Sequence, residues 1–166
     1  MASRAAKSPP GLKIDQIAIV VKDLRKTMER YHEIMGWGPW RVYDYKPPFL
    51  FDTRLRGKSV GYAMLGAEVH CDPVDFEIIQ PLEGPSIYRE FLEEKGEGLH
   101  HVSVIDPERK VRKALDDFRA NGIEALMSGK VHGAEFYYMD TDPILKMVAE
   151  TVTGHAISLE PSYTYP

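Results

Sequence analysis

The sequence predicts an α+β fold built from two βαβββ modules, and three observations predict it. An apolar strand, a capped amphipathic helix and three further strand-like runs follow one another in residues 13–82, and the same order recurs in residues 98–152. The two copies also keep step. With Gln16 set against His101, the glycine that closes the first helix, Gly36, lies twenty residues on, and Gly122 in the second copy lies twenty-one on. Finally, 166 residues that are 43% hydrophobic and 28% charged have the make-up of one globular domain with a substantial core.

Each element follows from its residues. "KIDQIAIVV", Lys13 to Val21, is a β-branched run typical of a strand covered on both faces. Asp23 caps the helix after it, whose apolar positions Leu24, Met28, Tyr31 and Met35 recur at helical spacing and whose exit is Gly36. "WGPWRVYDY", "SVGYAML" and "VDFEIIQPL" are three strands divided by Pro, Gly and Asp. Ser86 in "GPSIYREFLEEKGEG" caps a short helix that turns Ile87 and Phe91 inward and joins the modules over residues 83–97. The second copy opens with "LHHVSVI". Asp106 and Pro107 take the cap and first-turn positions of its helix, and Val111, Ala114, Leu115 and Phe118 supply the buried face. After "ANGI" come the strands "IEALMSG", "AEFYYMD" and "LKMVAETV". Residues 13–152 thus read as a single domain, residues 1–12 as a disordered arm and residues 153–166 as a C-terminal tail.

Composition excludes several classes. A net charge of -4 with scattered Lys and Arg leaves no basic stripe, so nucleic acid is not an expected partner. No run approaches the roughly 18 apolar residues that a membrane span needs. The single Cys71 has no internal disulfide partner, which points to a reducing, cytoplasmic setting.

Side chains alternate along a strand, so each strand's polar residues can be assigned to a face. Ile17, Ile19 and Val21 share one face, and Gln16, Ala18 and Val20 the other. Val74, Phe76 and Ile78 are the apolar set of the fourth strand, which turns Asp75, Glu77 and Ile79 to the opposite side. His101 shares a face with Ser103, and Glu150 with Val148.

These residues, together with the stretch "PLEGPSIYREFLEEKGEGLHHVSV", resemble the vicinal oxygen chelate superfamily. That superfamily includes glyoxalase I, methylmalonyl-CoA epimerase, extradiol dioxygenases and bleomycin-resistance proteins, and the wording is most similar to methylmalonyl-CoA epimerase. The resemblance implies a cupped mixed β-sheet with helices on its outer face, each module giving one ligand from its first strand and one from its last to a divalent metal. By position these are Gln16, Glu77, His101 and Glu150. His101 is then the ligand of the His-His pair, because alternation turns His100 toward the helix layer. An imidazole, two carboxylates and an amide oxygen suit Zn, Co, Ni, Mn or Fe.

Gln in the first ligand position is similar to the arrangement in some glyoxalase I enzymes and argues against oxygen activation. The implied activity is that of a metal-dependent isomerase, epimerase or lyase, with Glu150 as the base that takes a proton next to a metal-held carbonyl. A non-catalytic dimeric binding protein of bleomycin-resistance type and an Fe(II) dioxygenase are the alternatives. Val20 stands where Gln-type glyoxalase I carries the Arg that holds glutathione, and Gly61 stands near the place of an epimerase's second catalytic carboxylate. A homodimer acting on a small molecule is implied as well.

Aromatic and basic residues of the first module suggest the substrate. Trp40, Arg41, Tyr43, Arg54 and Tyr62 are the candidate pocket for a flat or acyl molecule bearing a carboxylate or phosphate, although such aromatics serve equally as core or interface. "EVHCDP" reads as a structural loop, His32 as solvent-facing, and His132 and His155 as turn residues or residues of a pocket mouth.

Overall fold

Asp23 starts the first helix because its carboxylate accepts the amide hydrogen of Lys26 at 3.0 Å, and Gly36 ends it because the chain turns left-handed there, at φ 71°. Local rules of this kind set most element boundaries in the structure, a computed structural model that describes residues 13–105, 111–153 and 160–166. The expected helix start at Asp106 and Pro107, the arm of residues 1–12 and His155 lie outside the described residues.

The elements in chain order are β1 (Lys13–Val20), α1 (Leu24–Met35), β2 (Trp40–Tyr45), β3 (Phe51–Leu55), β4 (Lys58–Ser59), β5 (Ala63–His70), β6 (Asp75–Glu83) and α2 (Ile87–Glu94). Then follow β7 (Gly98–Ile105), α3 (Val111–Ala120), β8 (Ala125–Val131), β9 (Ala134–Met139), α4 (Asp142–Leu145), β10 (Val148–Thr153) and β11 (Tyr163–Tyr165). All eleven strands form one mixed sheet in the order β11-β2-β5-β6-β1-β7-β10-β9-β8-β3-β4. The fold is the expected α+β arrangement. At its centre β1 and β7, the first strands of the two modules, run antiparallel, and each is flanked in parallel by the last strand of its own module, β6 or β10.

The hairpin β3–β4 was not foreseen as strands. It lies between β2 and β5 in sequence, yet it crosses to the far edge of the sheet and pairs with β8, setting Arg54 opposite Ser128. Arg56 at its tip makes a bidentate pair with Glu90 of α2, both contacts at 2.7 Å. In exchange β11, from beyond the second module, covers the edge of β2.

Alternation sorts the core into two layers. Ile19, Phe76 and Ile78 pack with Leu24 and Met28 under α1, whereas Ala18, Val20 and Ile79 face the inside of the cup with Tyr45, Met64 and Tyr138. Met35, expected on the buried face of α1, is 53% exposed. His32 is not solvent-facing: its Nδ1 lies 3.0 Å from the carbonyl oxygen of Trp37, and its ring meets Tyr165 edge-on. The linking helix α2, capped by Ser86, sends Ile87 and Tyr88 into the inner layer and so plugs one end of the cup. A separate cluster of Val111, Leu115, Ile123 and Met139 lies under α3. No helix among the described residues is long and apolar enough to cross a membrane.

Two bulges interrupt the β1–β7 ladder. Between Ala18 and Ile19 the partner strand advances from His101 to Leu99, leaving His100 as the extra residue; between Ile14 and Gln16 the extra residue is Asp15. Gly66 serves a close approach, since a Cβ there would stand 2.6 Å from the ring of Tyr45 and 3.4 Å from Glu77 Oε1. Both neighbours are buried, so neither yields easily. Gly66→Ala is expected to destabilise the fold by about 1–3 kcal/mol, read from the midpoint of denaturant unfolding; a change under about 0.5 kcal/mol would contradict the packing described.

Candidate active site

Four adjacent strands carry the four residues singled out in the sequence: Glu77 on β6, Gln16 on β1, His101 on β7 and Glu150 on β10. Ala18 is paired with Glu77 on one side and with His101 on the other. Its side chain is a single methyl group, so the two longer side chains meet above it. His101 Nε2 lies 3.7 Å from Glu77 Oε2 and 3.6 Å from Glu150 Oε2. Gln16 lines the same cleft as Glu77, Glu150, Ser103 and Tyr138, and the cleft has a volume of about 620 Å³. His101 itself is 1% exposed and lies beneath the floor.

Burial sets the electrostatics. The Glu77 carboxyl is held well above its ordinary range, first by burial and then by the charges of Glu68 and Glu150. Burial pushes Glu150 up to about 7, with the Tyr138 and Ser103 hydroxyls drawing it back down. His101 is held well below the usual imidazole range by burial and by His100. At neutral pH the trio therefore has few charges, although every member is ionisable.

The structure adds a residue the sequence reading passed over. Glu68 on β5 is buried, paired across the ladder with Glu77, and lines the same cleft. Arg41 Nη2 lies 3.4 Å from one of its oxygens, and the Tyr45 hydroxyl donates to the other at 3.5 Å. Burial pushes the Glu68 carboxyl above its ordinary range and Arg41 opposes the shift. Glu68 could have been found by extending the alternation of Met64 and Gly66 along "MLGAEVH". At the mouth, His70 Nδ1 lies 2.6 Å from Asp75 Oδ1, so "EVHCDP" contributes to the cleft as well as turning the chain.

The proposed substrate-pocket residues divide. Arg41 and Tyr43 line the cleft. Trp40 is fully buried under α1, on the other face of the sheet, because β2 alternates Trp40 and Val42 outward with Arg41 and Tyr43 inward. Arg54 stands on the exposed β3–β4 hairpin, 3.4 Å from Asp52. Tyr62 is buried in the inner layer, with its hydroxyl 3.5 Å from the carbonyl oxygen of Ser128. His132 borders a separate groove with Phe49.

The expected divalent ion can be tested against these atoms. His101 Nε2 and Glu150 Oε2 are buried without a hydrogen-bond partner, an arrangement that a cation would satisfy. Donors 2.0–2.2 Å from a tetrahedral ion lie about 3.3–3.6 Å from one another, so the 3.6 and 3.7 Å gaps would close by at most a few tenths of an ångström. Among the described residues no group of three His, Cys, Asp or Glu side chains already stands at ligand spacing. The donor chemistry of the set fits the ion, and the two contacts from His101 are close to ligand spacing.

Comparison with known proteins agrees with the fold. The family model of the Glyoxalase/Bleomycin resistance protein/Dioxygenase superfamily matches residues 15–138. The chain is 28% identical over 93 residues to the uncharacterized protein YqjC of Bacillus subtilis (strain 168), a match spanning 56% of each chain. Its fold is similar to that of the hypothetical protein BH1468 from Bacillus halodurans C-125, with TM-score 0.64 and 16% identity, over 90% of this chain and 99% of that one. It is also similar to a Streptomyces coelicolor methylmalonyl-CoA epimerase variant in complex with 2-nitronate-propionyl-CoA, with TM-score 0.59 and 22% identity, over 88% of this chain and all of that one.

The raised Glu150 acid has a thermodynamic consequence. A carboxyl whose folded value is about 7 against an ordinary 4.5 stabilises the fold fully below pH 4.5, and that stabilisation is lost as pH rises through 7. His100 and His101, both lowered, act in the opposite sense below pH 6.5, so wild type alone does not isolate the effect. The comparison of metal-free wild type with Glu150→Gln does. Between pH 4.5 and about 8 the variant should gain on wild type by about 3 kcal/mol in unfolding free energy, with no further gain at higher pH. A difference independent of pH would show that Glu150 ionises normally.

Proposed function

We propose, for a chain that belongs to the glyoxalase/bleomycin resistance protein/dioxygenase superfamily, that it is a divalent-metal-dependent isomerase, epimerase or lyase acting next to the carbonyl of a small acyl, thioester or aromatic substrate. The observation that carries this reading is the convergence of Glu77, His101 and Glu150 at the floor of the cleft, with His101 Nε2 and Glu150 Oε2 unpartnered. Gln16, Glu77, His101 and Glu150 would hold the ion. A bound divalent ion supplies Lewis acidity, polarising a substrate carbonyl.

Glu150 is the base. Its Oε2 faces His101 and has no hydrogen-bond partner. Without the ion, burial holds Glu150 at about 7; a bound cation would favour its ionised form, the form that takes a proton. The proton on the carbon next to the carbonyl passes to Glu150, and the electron pair left behind moves onto the carbonyl oxygen. The Tyr138 and Ser103 hydroxyls hydrogen-bond the carboxylate and favour its ionised form. Glu68, on the opposite wall and held by Arg41, is a second carboxyl able to hand a proton back from the other face. Arg41 also fits a substrate carboxylate at the mouth. The reading includes a cytoplasmic homodimer, on the resemblance and the lone Cys71.

The test couples metal content to proton exchange. Protein purified under mild conditions should carry about one divalent ion per chain, and Glu77→Ala or His101→Ala should lower that content at least tenfold. With methylmalonyl-CoA as the first substrate assayed, wild type should exchange the proton next to the thioester carbonyl with deuterium from solvent, and Glu150→Gln should slow exchange by about 10²–10⁴-fold. Metal-free wild type that binds small acyl or planar compounds without exchange would replace the enzyme with a sequestering protein.

A further inference from the structure

We propose that the groove beside the cleft is a second binding site, shaped for a flat aromatic ring that carries an ammonium group. It uses neither the metal ligands nor the proposed reaction, so it stands or falls apart from them.

The groove has a volume of about 430 Å³, within the range of small-molecule sites, and its walls include Tyr43, Asp44, Tyr45, Phe49, His132 and Glu160. It exists because β11 is short. That strand begins opposite Val42 and runs back toward Trp40, so the edge of β2 from Tyr43 to Tyr45 borders the groove instead of another strand. Tyr43 and Tyr45 are the partition between the two cavities. Both are buried, both line groove and cleft, and their rings stack with centroids 5.7 Å apart at 26°. The Tyr45 hydroxyl is directed to Glu68 on the cleft side, so the groove meets its ring.

Phe49 is 46% exposed, although the next residue, Leu50, is buried in the inner layer. The loop that carries it is closed by the Leu50 N–H donating to the Lys46 carbonyl oxygen at 3.0 Å, and Pro47 and Pro48 each fix φ within it. Phe49 is thus held outward at the rim. The His132 ring lies 6.1 Å from Phe49 and 6.1 Å from Phe51, which is itself 44% exposed. Three rings kept at the surface offer their faces and edges to a planar ligand.

Charge decides which planar ligand fits. Two acids, Asp44 and Glu160, border the groove, and among the described residues no lysine or arginine lines it. Asp44 alternates with Tyr43 and Tyr45 along β2, so its carboxyl borders the groove and not the cleft. Its Oδ2 pairs with Lys46, but Oδ1 is buried without a hydrogen-bond partner, and an ammonium N–H entering the groove supplies one. Aromatic faces attract the same cation. A carboxylate or phosphate would meet like charge here, in contrast to the cleft, where Arg41 suits an anion.

Phenethylamine and phenylpropionate share a ring and a two-carbon chain and differ in the sign of their charge, which makes them matched probes. Each is titrated into the full-length protein at neutral pH and followed by aromatic ¹H–¹³C correlation spectra. Phenethylamine should move the His132 and Phe49 signals while those of His101 stay, and, read at His132, should bind about tenfold more tightly than phenylpropionate. Phe49→Ala should weaken it about fivefold. Asp44→Asn, which keeps the shape and removes the charge, should do the same and narrow the preference over phenylpropionate. Glu160→Gln, at an exposed position, repeats the charge test if Asp44→Asn does not fold. Equal binding of the two probes, His101 signals that move while His132 stays, or no shift by about 10 mM phenethylamine overturns the proposal. So does wild-type affinity in both charge variants.

Discussion

Two carboxyl groups packed within 3.7 Å of one imidazole and away from water cannot all keep their solution charges. Glu77 and Glu150 are driven toward the neutral acid, and His101 toward the neutral ring. Such a group is unfavourable for the fold on its own. The surrounding structure holds it in place through the hydroxyls of Tyr138 and Ser103, the methyl group of Ala18 between two long side chains, and the Tyr88 hydroxyl donating to Tyr138 at 2.7 Å. A divalent cation would reverse the balance, since it favours ionised carboxylates and a bare ring nitrogen.

The topology explains why these residues converge. The last strand of each module lies parallel to its own first strand, and the two first strands pair, so the central order is β6-β1-β7-β10. Four successive strands therefore each present one side chain to a common region. The same arrangement puts Glu68 one strand further out, opposite Glu77 and facing the same cleft.

Much of this was legible in the sequence, because period-two alternation needs only local information. It assigned Gln16, Glu77 and Glu150 to the inner face and Phe76 and Ile78 to the helix side, as the structure has them. The bulges were not legible. A one-residue insertion in a ladder depends on the partner strand, so nothing near His100 announced that its ring would turn inward beside His101. Trp40 was grouped with Tyr43 by composition alone, although their spacing of three already set them on opposite faces. Strands β3 and β4 are short and charged, and they become strands only because β8 offers an open edge.

That borrowed edge bears on how the chain reaches its native state. The pairing of Arg54 with Ser128 joins residues far apart in sequence, and β11 returns from the opposite end of the chain to β2. During synthesis the first βαβββ unit emerges well before β8 exists, so its hairpin has no sheet to join and the flank of β2 stays open. Ladders between such distant segments form late and slowly, since the loops they close carry a large entropic penalty. The half-made protein is thus the stage most exposed to mispairing with a neighbouring nascent chain.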